Sequence, residues 1–183
     1  MIQAIHARLA ARQDENSEGG FTLIELMVVV MIIAILVGIA IPAFLGARKR
    51  AQDTASKSDL RNGLSTAQTI FTDQQAYKAT AAMVAELNTE EPSLTFKDNA
   101  TASTASKEIS VLVTQSAVAG STANDEIILA SQSKSGTCFF LRHINTAGDA
   151  TLSGTYTAEK AGATCTGDAG ALVATGLSWT AAG

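Results

Sequence analysis

The sequence has few of the side chains on which catalytic and metal-binding sites usually depend. Its 183 residues include two histidines, His6 and His143, and two cysteines, Cys138 and Cys165. A structural zinc site needs about four clustered ligands, and two histidines far apart in the chain do not supply them. Cys138 and His143 have a spacing that puts them on one face of neither a helix nor a strand. We therefore predict no catalytic residue, no metal site and no cofactor.

Clustered basic residues and large aromatic residues are also scarce. The chain has 13 Lys and Arg against 17 Asp and Glu, a net charge of −4, one Trp and two Tyr. Nucleic-acid binding depends on clustered cations that neutralise phosphates, and no extended basic face is present. We therefore predict that no motif in the chain binds nucleic acid directly.

One stretch lacks charge altogether. No charged residue occurs from Leu26 to Ala47, and as a helix this stretch would be about 33 Å long, against a bilayer hydrocarbon core of about 30 Å. The apolar core of a secretory signal is shorter, at about 7–15 residues. The stretch therefore predicts a transmembrane stem over residues 21–47, rather than a cleaved secretory signal or a buried helix of a soluble domain.

The segment before the stem is polar. Residues 1–20 lack an apolar core and end in Gly19-Gly20, directly against the apolar stretch. In an ordinary secretory signal the apolar region precedes the small residues of the cleavage site, so the order is reversed here. The glycines offer an accessible backbone to a protease at the membrane face. We predict that residues 1–20 are a leader, removed by cleavage between Gly20 and Phe21.

Two features give conflicting indications of where the C-terminal part lies. The basic residues 48–50 follow the stem and only Arg8 and Arg12 precede it, which favours a cytoplasmic C-terminal part. Behind an export segment, however, the two cysteines predict a disulfide between Cys138 and Cys165. It would close a loop of about 28 residues and contribute about 3–4 kcal/mol in the chain-entropy model. We give the cysteines more weight and expect export.

Glu25 is the one charged residue between Phe21 and Ala47. An unpaired carboxylate at the centre of a bilayer costs about 2.5–3.5 kcal/mol, and less near the interface. Cleavage would create a cation, the α-amino group of Phe21, and Glu25 could pair with that group on a neighbouring chain. Such a contact joins different surfaces of two copies and generates an open helical array. We therefore predict that Glu25 guides assembly.

Gly38 and Pro42 interrupt an otherwise strong helical pattern within the stem. Proline removes a backbone donor and clashes with the carbonyl four residues earlier, so it kinks or opens a helix. The two residues predict a segment that kinks or melts outside lipid. The alternative is a harmless kink, since both residues are tolerated in membrane helices.

The motif Gly20-Phe21-Thr22-Leu23-Ile24-Glu25-Leu26, followed by an apolar stretch that contains Pro42, resembles the class III signal and stem of type IV prepilins. The resemblance covers residues 19–50. It implies that a prepilin peptidase and methyltransferase cuts after Gly20 and N-methylates Phe21, and that Glu25 pairs with a neighbouring N-terminus. The implied partners are identical pilin subunits in a helical homopolymer and a pilus assembly platform in the membrane. The implied location is the cytoplasmic membrane for the single-pass prepilin, then a filament on the cell surface.

The remaining sequence predicts an α+β head over residues 76–183. Leu60, Leu64, Ala67 and Phe71 recur at helical spacing, which predicts that the helix of the stem continues to about residue 75. Alternating apolar residues predict strands, and a short helix fits residues 79–87. We expect a helix over 21–75 packed on a small antiparallel sheet with a disulfide loop. Strands are expected at 95–96, 109–113, 127–129, 139–141 and 155–157, and a C-terminal tail is expected to pack back through Leu172, Val173, Leu177 and Trp179.

The predicted function is that of a structural subunit of a type IV pilus, without enzymatic activity. Adhesion, motility and DNA uptake stay open as the use of the filament. One alternative is a pseudopilin of a type II secretion system or a competence pilin, for which Asp149, Glu159 and Asp168 would be a candidate calcium site. Separate solvated acids explain these three better, because they lack EF-hand spacing. A more distant alternative is a stalked, membrane-anchored binding domain.

Overall fold

The computed structural model describes residues 20–115, 124–145, 153–162, 164–168 and 179–182. The predicted leader up to Gly19 and the tail residues Leu172, Val173 and Leu177 lie outside these ranges. The chain divides into two compact units, Met1–Leu45 and Gly46–Gly183. Its helices and strands, in chain order, are α1 Leu23–Gln74, α2 Thr80–Glu90, β1 Thr95–Lys97, β2 Glu108–Thr114, β3 Glu126–Gln132, β4 Thr137–Ile144, β5 Gly154–Ala161 and β6 Thr180–Ala181.

Helix α1 ends at a residue that closes its last turn. At the C-terminal end, Gln75 has a left-handed φ of 59° and its N–H donates to the carbonyl of Phe71 at 2.6 Å. A left-handed residue directly after a helix is a common way to close its last turn. The helix therefore ends at Gln74, close to the predicted residue 75.

The N-terminal unit exposes an almost wholly apolar helix surface. The large hydrophobic side chains from Phe21 to Leu45 are between 45% and 89% exposed. Within the described residues, α1 is the one helix long and apolar enough to cross a membrane. The structure thus places the predicted apolar stretch in a single helix with its side chains uncovered.

The second unit contains a six-stranded sheet in the order β1-β2-β3-β4-β5-β6. All neighbouring pairs are antiparallel except β1 and β2, which run parallel. A parallel pair needs a connection that returns the chain to the same end, and residues 98–107 provide it. The predicted α+β class is confirmed, whereas the sheet is larger than expected and has one parallel edge.

The main core lies between α1, α2 and one face of the sheet. The predicted residues Leu60, Leu64 and Ala67 are buried, but Phe71 is only partly buried and Ile70 takes the next core position. Gly63 allows the close approach, because a Cβ there would lie 3.1 Å from side-chain atoms of Ile109 and Phe96. The sheet contributes apolar side chains at alternate positions to this core: Phe96, Ile109, Val111, Val113, Ile127, Leu129, Phe139 and Leu141.

A second apolar cluster covers the opposite face of the same sheet. It consists of Ile128, Ala130, Cys138, Phe140, Ala158 and Cys165, with Leu112 and Trp179 packed against it. This cluster explains why β3 is buried on both faces, since the sheet has no solvated face at that strand. The expected packing of Trp179 against the head is present.

The predicted disulfide joins Cys138 of β4 to Cys165, with the two Cα atoms 5.5 Å apart. The chain after Cys165 then packs closely against β2. A Cβ on Gly167 would lie 2.7 Å from the backbone N of Leu112 and 2.8 Å from the carbonyl carbon of Val111. Backbone atoms within a sheet cannot move aside as a flexible side chain can, so only glycine fits at this position.

Replacement of Gly167 by alanine should therefore destabilise the head by about 1–3 kcal/mol, the usual cost of overpacking. The matched control is Gly154→Ala, because a Cβ there meets Tyr156 atoms at an ordinary 3.9 Å. The measurement is thermal unfolding of the full chain in detergent, followed by Trp179 fluorescence. Equal midpoints for the two variants would contradict the close approach at Gly167.

Candidate functional site at the start of the long helix

Thr22 and Glu25 form a reciprocal pair of hydrogen bonds at the start of α1. The N–H of Glu25 donates to Thr22 Oγ1 at 3.3 Å. In return, the N–H of Thr22 donates to Glu25 Oε2 at 2.9 Å, and Thr22 Oγ1 donates to the same oxygen at 2.8 Å. This arrangement is a capping box, in which the residue before the helix and its third residue satisfy each other's backbone N–H. It explains why the helix begins at Leu23.

Sequence reasoning found Glu25 as an isolated charge but missed its partner Thr22. The signal was present, since a threonine followed three residues later by a glutamate before an apolar run is the pattern of a capping box. The carboxylate also lies at the N-terminal end of a helix, where the aligned peptide dipoles stabilise negative charge. Glu25 is thus stabilised within its own chain before any neighbour is considered.

The predicted cleavage position lies just outside the helix. Gly20, Phe21 and Thr22 are not helical, and Gly20 and Phe21 are exposed. A helix buries its peptide bonds in a hydrogen-bonded cylinder, whereas a protease needs an open backbone. The capping box keeps the bond between Gly20 and Phe21 outside the helical part of the chain. Cleavage there, and methylation of Phe21, stay predictions.

Gly38 and Pro42 are four residues apart, the spacing at which backbone groups of an α-helix form a hydrogen bond. Helix α1 continues through Pro42, which has no N–H to donate to the carbonyl of Gly38, the residue four positions earlier. Gly38 also lacks a side chain that would pack along the helix, and nothing lies within 4 Å of the position of its absent Cβ. The two residues therefore weaken the same turn. Their predicted role in kinking or melting stays a prediction.

The two cysteines have a structural role in the second unit. Both are buried in the second apolar cluster, and neither is a free thiol. The carbonyl of Cys165 accepts the N–H of Ser103 at 2.8 Å, and the N–H of Gly167 donates to Ser110 Oγ at 2.9 Å. The disulfide thus anchors a segment that is hydrogen-bonded to β2 and to the loop before it.

His143 faces α1 from β4 and makes two contacts. Its Nδ1 lies 2.9 Å from Thr155 Oγ1 and its Nε2 lies 3.3 Å from Gln68 Nε2. Because the Gln68 amide nitrogen is a donor, this geometry suits a neutral imidazole that accepts at Nε2 and donates at Nδ1. Burial lowers the pKa of His143 below its ordinary value. His143 is therefore held by contacts with two side chains, Thr155 and Gln68, and has no free thiol beside it.

No group of three or more metal-ligating side chains occurs within the described ranges. Of the calcium candidates, Asp149 lies outside those ranges, and Glu159 forms an ion pair with Lys57 at 3.2 Å. The carboxylate of Glu159 thus has a cation of the chain itself beside it. These positions lend the calcium alternative no support.

Comparison with known proteins finds a match that includes the start of α1. Residues 16–41 match the family model of the prokaryotic N-terminal methylation motif. Over 68 residues, 37% of this chain and 52% of the relative, the sequence is 41% identical to the type IV wide pilus major component PilA4 of Thermus thermophilus. Over 58 residues, 32% of this chain and 26% of the relative, it is 41% identical to the type IV major pilin protein PilA of Myxococcus xanthus. No solved structure matches the chain.

The first of these matches shows a likeness to proteins with an N-terminal methylation motif. Within that class, the matches together confirm the resemblance to type IV pilins. The chain spans about half the length of the first relative and about a quarter of the second. The methylation-motif match at residues 16–41 includes Thr22, Glu25 and most of the apolar stretch.

The environment of His143 predicts a pH dependence of stability. A histidine whose pKa is lowered by folding contributes stability that is present above the ordinary value near 6.5 and is lost as the pH falls through the folded-state pKa. Thermal unfolding should therefore show a midpoint that declines between pH 7.5 and 5.5, and His143→Gln should reduce this decline. Glu108 does not interfere, because Lys97 and the N–H of Thr104 lower its pKa from 4.5 to about 2, so it acts only at lower pH. An unchanged slope in the variant would contradict the assignment.

Proposed function

We propose that the chain is a structural subunit of a type IV pilus, made as a prepilin and polymerised through the apolar part of α1. The observation that carries the proposal is the exposed apolar helix that begins at a capped carboxylate. In this proposal residues 1–20 are the leader, residues 21–75 are the helix with its stem at 21–47, and residues 76–183 are the head. The names of the two relatives, both major pilus components, favour this role over that of a secretion pseudopilin.

The first support is the apolar surface of the N-terminal unit. Contiguous exposed apolar surface on this scale is rare in monomeric soluble proteins and marks a membrane or protein interface. The apolar helix suits membrane anchoring of the precursor. Every face of the helix is apolar from Leu26 to Leu45, so a bundle of identical helices can replace lipid around it. The same side chains then serve in both environments.

The second support is the position of Glu25 relative to the new N-terminus. Cleavage before Phe21 creates a charged amino group four residues before Glu25 in the sequence, beside the capping box. Within its own chain, Glu25 is already hydrogen-bonded to Thr22. An amino group of a neighbouring copy would add the cation that Thr22 does not provide. A carboxylate in an apolar bundle is more stable when such a cation lies beside it, so the pair favours one axial stagger between copies.

The proposed partners follow from these steps. A prepilin peptidase and methyltransferase would cut after Gly20 and methylate Phe21, and an assembly platform in the membrane would insert the processed subunit into a filament of identical copies. The protein would first lie in the cytoplasmic membrane and then on the cell surface. The proposed role of the chain requires no catalysis and no cofactor.

Processing is tested by N-terminal sequencing of the protein recovered from cells that contain a prepilin peptidase. The mature chain should begin at Phe21 and carry one added methyl group. Gly20→Val should accumulate as the uncleaved precursor, because the side chain obstructs the backbone next to the cut. A mature N-terminus near Arg48 would instead identify a secretory signal and overturn the proposal.

Assembly is tested by three variants that separate the charge of Glu25 from its capping role. Glu25→Gln keeps a side chain able to accept the Thr22 N–H but removes the charge, whereas Thr22→Val removes the cap and keeps the charge. Glu25→Ala removes both. If pairing with a neighbouring amino group guides assembly, Glu25→Gln and Glu25→Ala should both reduce incorporation into sheared filaments about tenfold or more, the effect of about 1.4 kcal/mol.

Thr22→Val should assemble to a larger extent than either Glu25 variant. Membrane insertion of all three should match the wild type, as measured by the amount of protein in the membrane fraction. Normal filaments from Glu25→Gln would show that capping, and not charge, is what Glu25 supplies, and the pairing argument would then be wrong.

A further inference from the structure

A pocket lined by both polar and apolar side chains lies beside the turns of α1 that begin at Arg48, within the second unit. Its volume is about 310 Å³. One wall is the face of α1 that contains Arg48 and Ser56, and the opposite wall is the turn between β3 and β4, with Ser133 and Lys134. Ser106, from the connection between β1 and β2, lies at its edge. Three segments distant in sequence thus meet around one space.

The charged side chains that line this pocket are both positive. Arg48 and Lys134 line it, and no Asp or Glu is among the described residues that do. Neither cation forms an ion pair within the described part of the chain. The nearby carboxylate of Asp53 instead accepts a hydrogen bond from Ser135. The pocket is thus lined by two cations and several serine hydroxyls, groups that form charge-assisted or ordinary hydrogen bonds with the oxygens of a phosphate.

The walls of the pocket are held in place by hydrogen bonds that do not involve the two cations. Ser56 Oγ and Ser131 Oγ lie 2.9 Å apart and link α1 to β3 in a buried position. The turn is closed by the N–H of Gly136, which donates to the carbonyl of Ser133 at 2.9 Å. The left-handed φ of 86° at Gly136 allows this tight turn. Lys134 is therefore carried on a defined backbone rather than on a long loop.

The sequence position of Arg48 indicates which phosphate is available. Arg48 is the first charged residue after the apolar stretch and follows Leu45 by about one helical turn. When the stretch spans a bilayer, Arg48 must therefore lie at the depth of the lipid headgroups. We propose that the pocket binds the phosphate group of an anionic phospholipid while the chain is anchored in the membrane. The inference rests on the membrane-anchored stage of the proposed function and does not depend on polymerisation.

A bound headgroup would fix the rotation of α1 as well as the depth of Arg48 in the bilayer. Only one face of α1 lines the pocket, so a phosphate held between Arg48 and Lys134 would also restrict rotation of the helix about its own axis in the bilayer. Loss of that contact would accompany extraction of the subunit from the membrane. The other basic residues of this region, such as Lys49, do not line the pocket and would contribute only general attraction to an anionic surface.

The test is a titration of the detergent-solubilised full chain with short-chain phosphatidylglycerol, with short-chain phosphatidylcholine and inorganic phosphate as separate arms. Saturable binding of phosphatidylglycerol is expected, with weaker binding in the other two arms. Lys134→Gln should weaken it about tenfold, in line with the loss of one charged hydrogen bond. Lys49→Gln is the matched control, because it removes the same charge next to the same stem, and it should change the affinity less than twofold.

Each contrary result has a distinct meaning. Equal effects of the two lysine variants would show general surface attraction and overturn the pocket. Inorganic phosphate that binds as tightly as the lipid would identify a free-anion site and overturn the lipid as its source. Intact lipid binding by Lys134→Gln together with failure to form filaments would assign Lys134 to an acidic surface of a second copy. Trp179 fluorescence and thermal unfolding verify that both variants fold, and none of these results bears on the proposed cleavage after Gly20.

Discussion

The apolar surface from Leu26 to Leu45 is the constraint on which the other features of the N-terminal unit depend. Water cannot cover such a surface without a large free-energy cost, so the surface marks the helix as a membrane or protein interface. A charge at either end of the stretch must therefore have a hydrogen-bond partner or lie in polar surroundings. Glu25 has its partner in Thr22 of the same chain, and Arg48 lies where the polar half of the helix begins.

Much of this arrangement could be predicted from the sequence because it depends on local chemistry. The spacing of Leu60, Leu64 and Ala67 identified the buried face of α1, and the alternation around Val111 identified β2. Both patterns arise from the period of a single helix or strand. Phe71 packs against the same core as predicted but is only partly buried; its ring centroid lies 4.8 Å from that of Tyr77, and Ile70 takes the buried position beside it.

The features that sequence did not predict depend on contacts between distant segments. The parallel pairing of β1 with β2 follows from the path of residues 98–107, which no local pattern encodes. The same holds for the second apolar cluster, whose members alternate with those of the main core along β3 and β4. The pocket that Arg48 and Lys134 line joins residues far apart in the chain, so no local pattern brings them together. Thr22 is the exception, because its capping pattern is local and readable.

The disulfide has a topological consequence for β5. Cys138 lies at the beginning of β4 and Cys165 lies beyond β5, so the bond closes a covalent ring that contains nearly all of β4 and the whole of β5. A break in the peptide backbone between the two cysteines would open this ring but would not divide the molecule into two pieces. Strand β5 also provides the pairing edge for the short β6. A protein built this way keeps its outer strands attached after a single proteolytic cut in that ring.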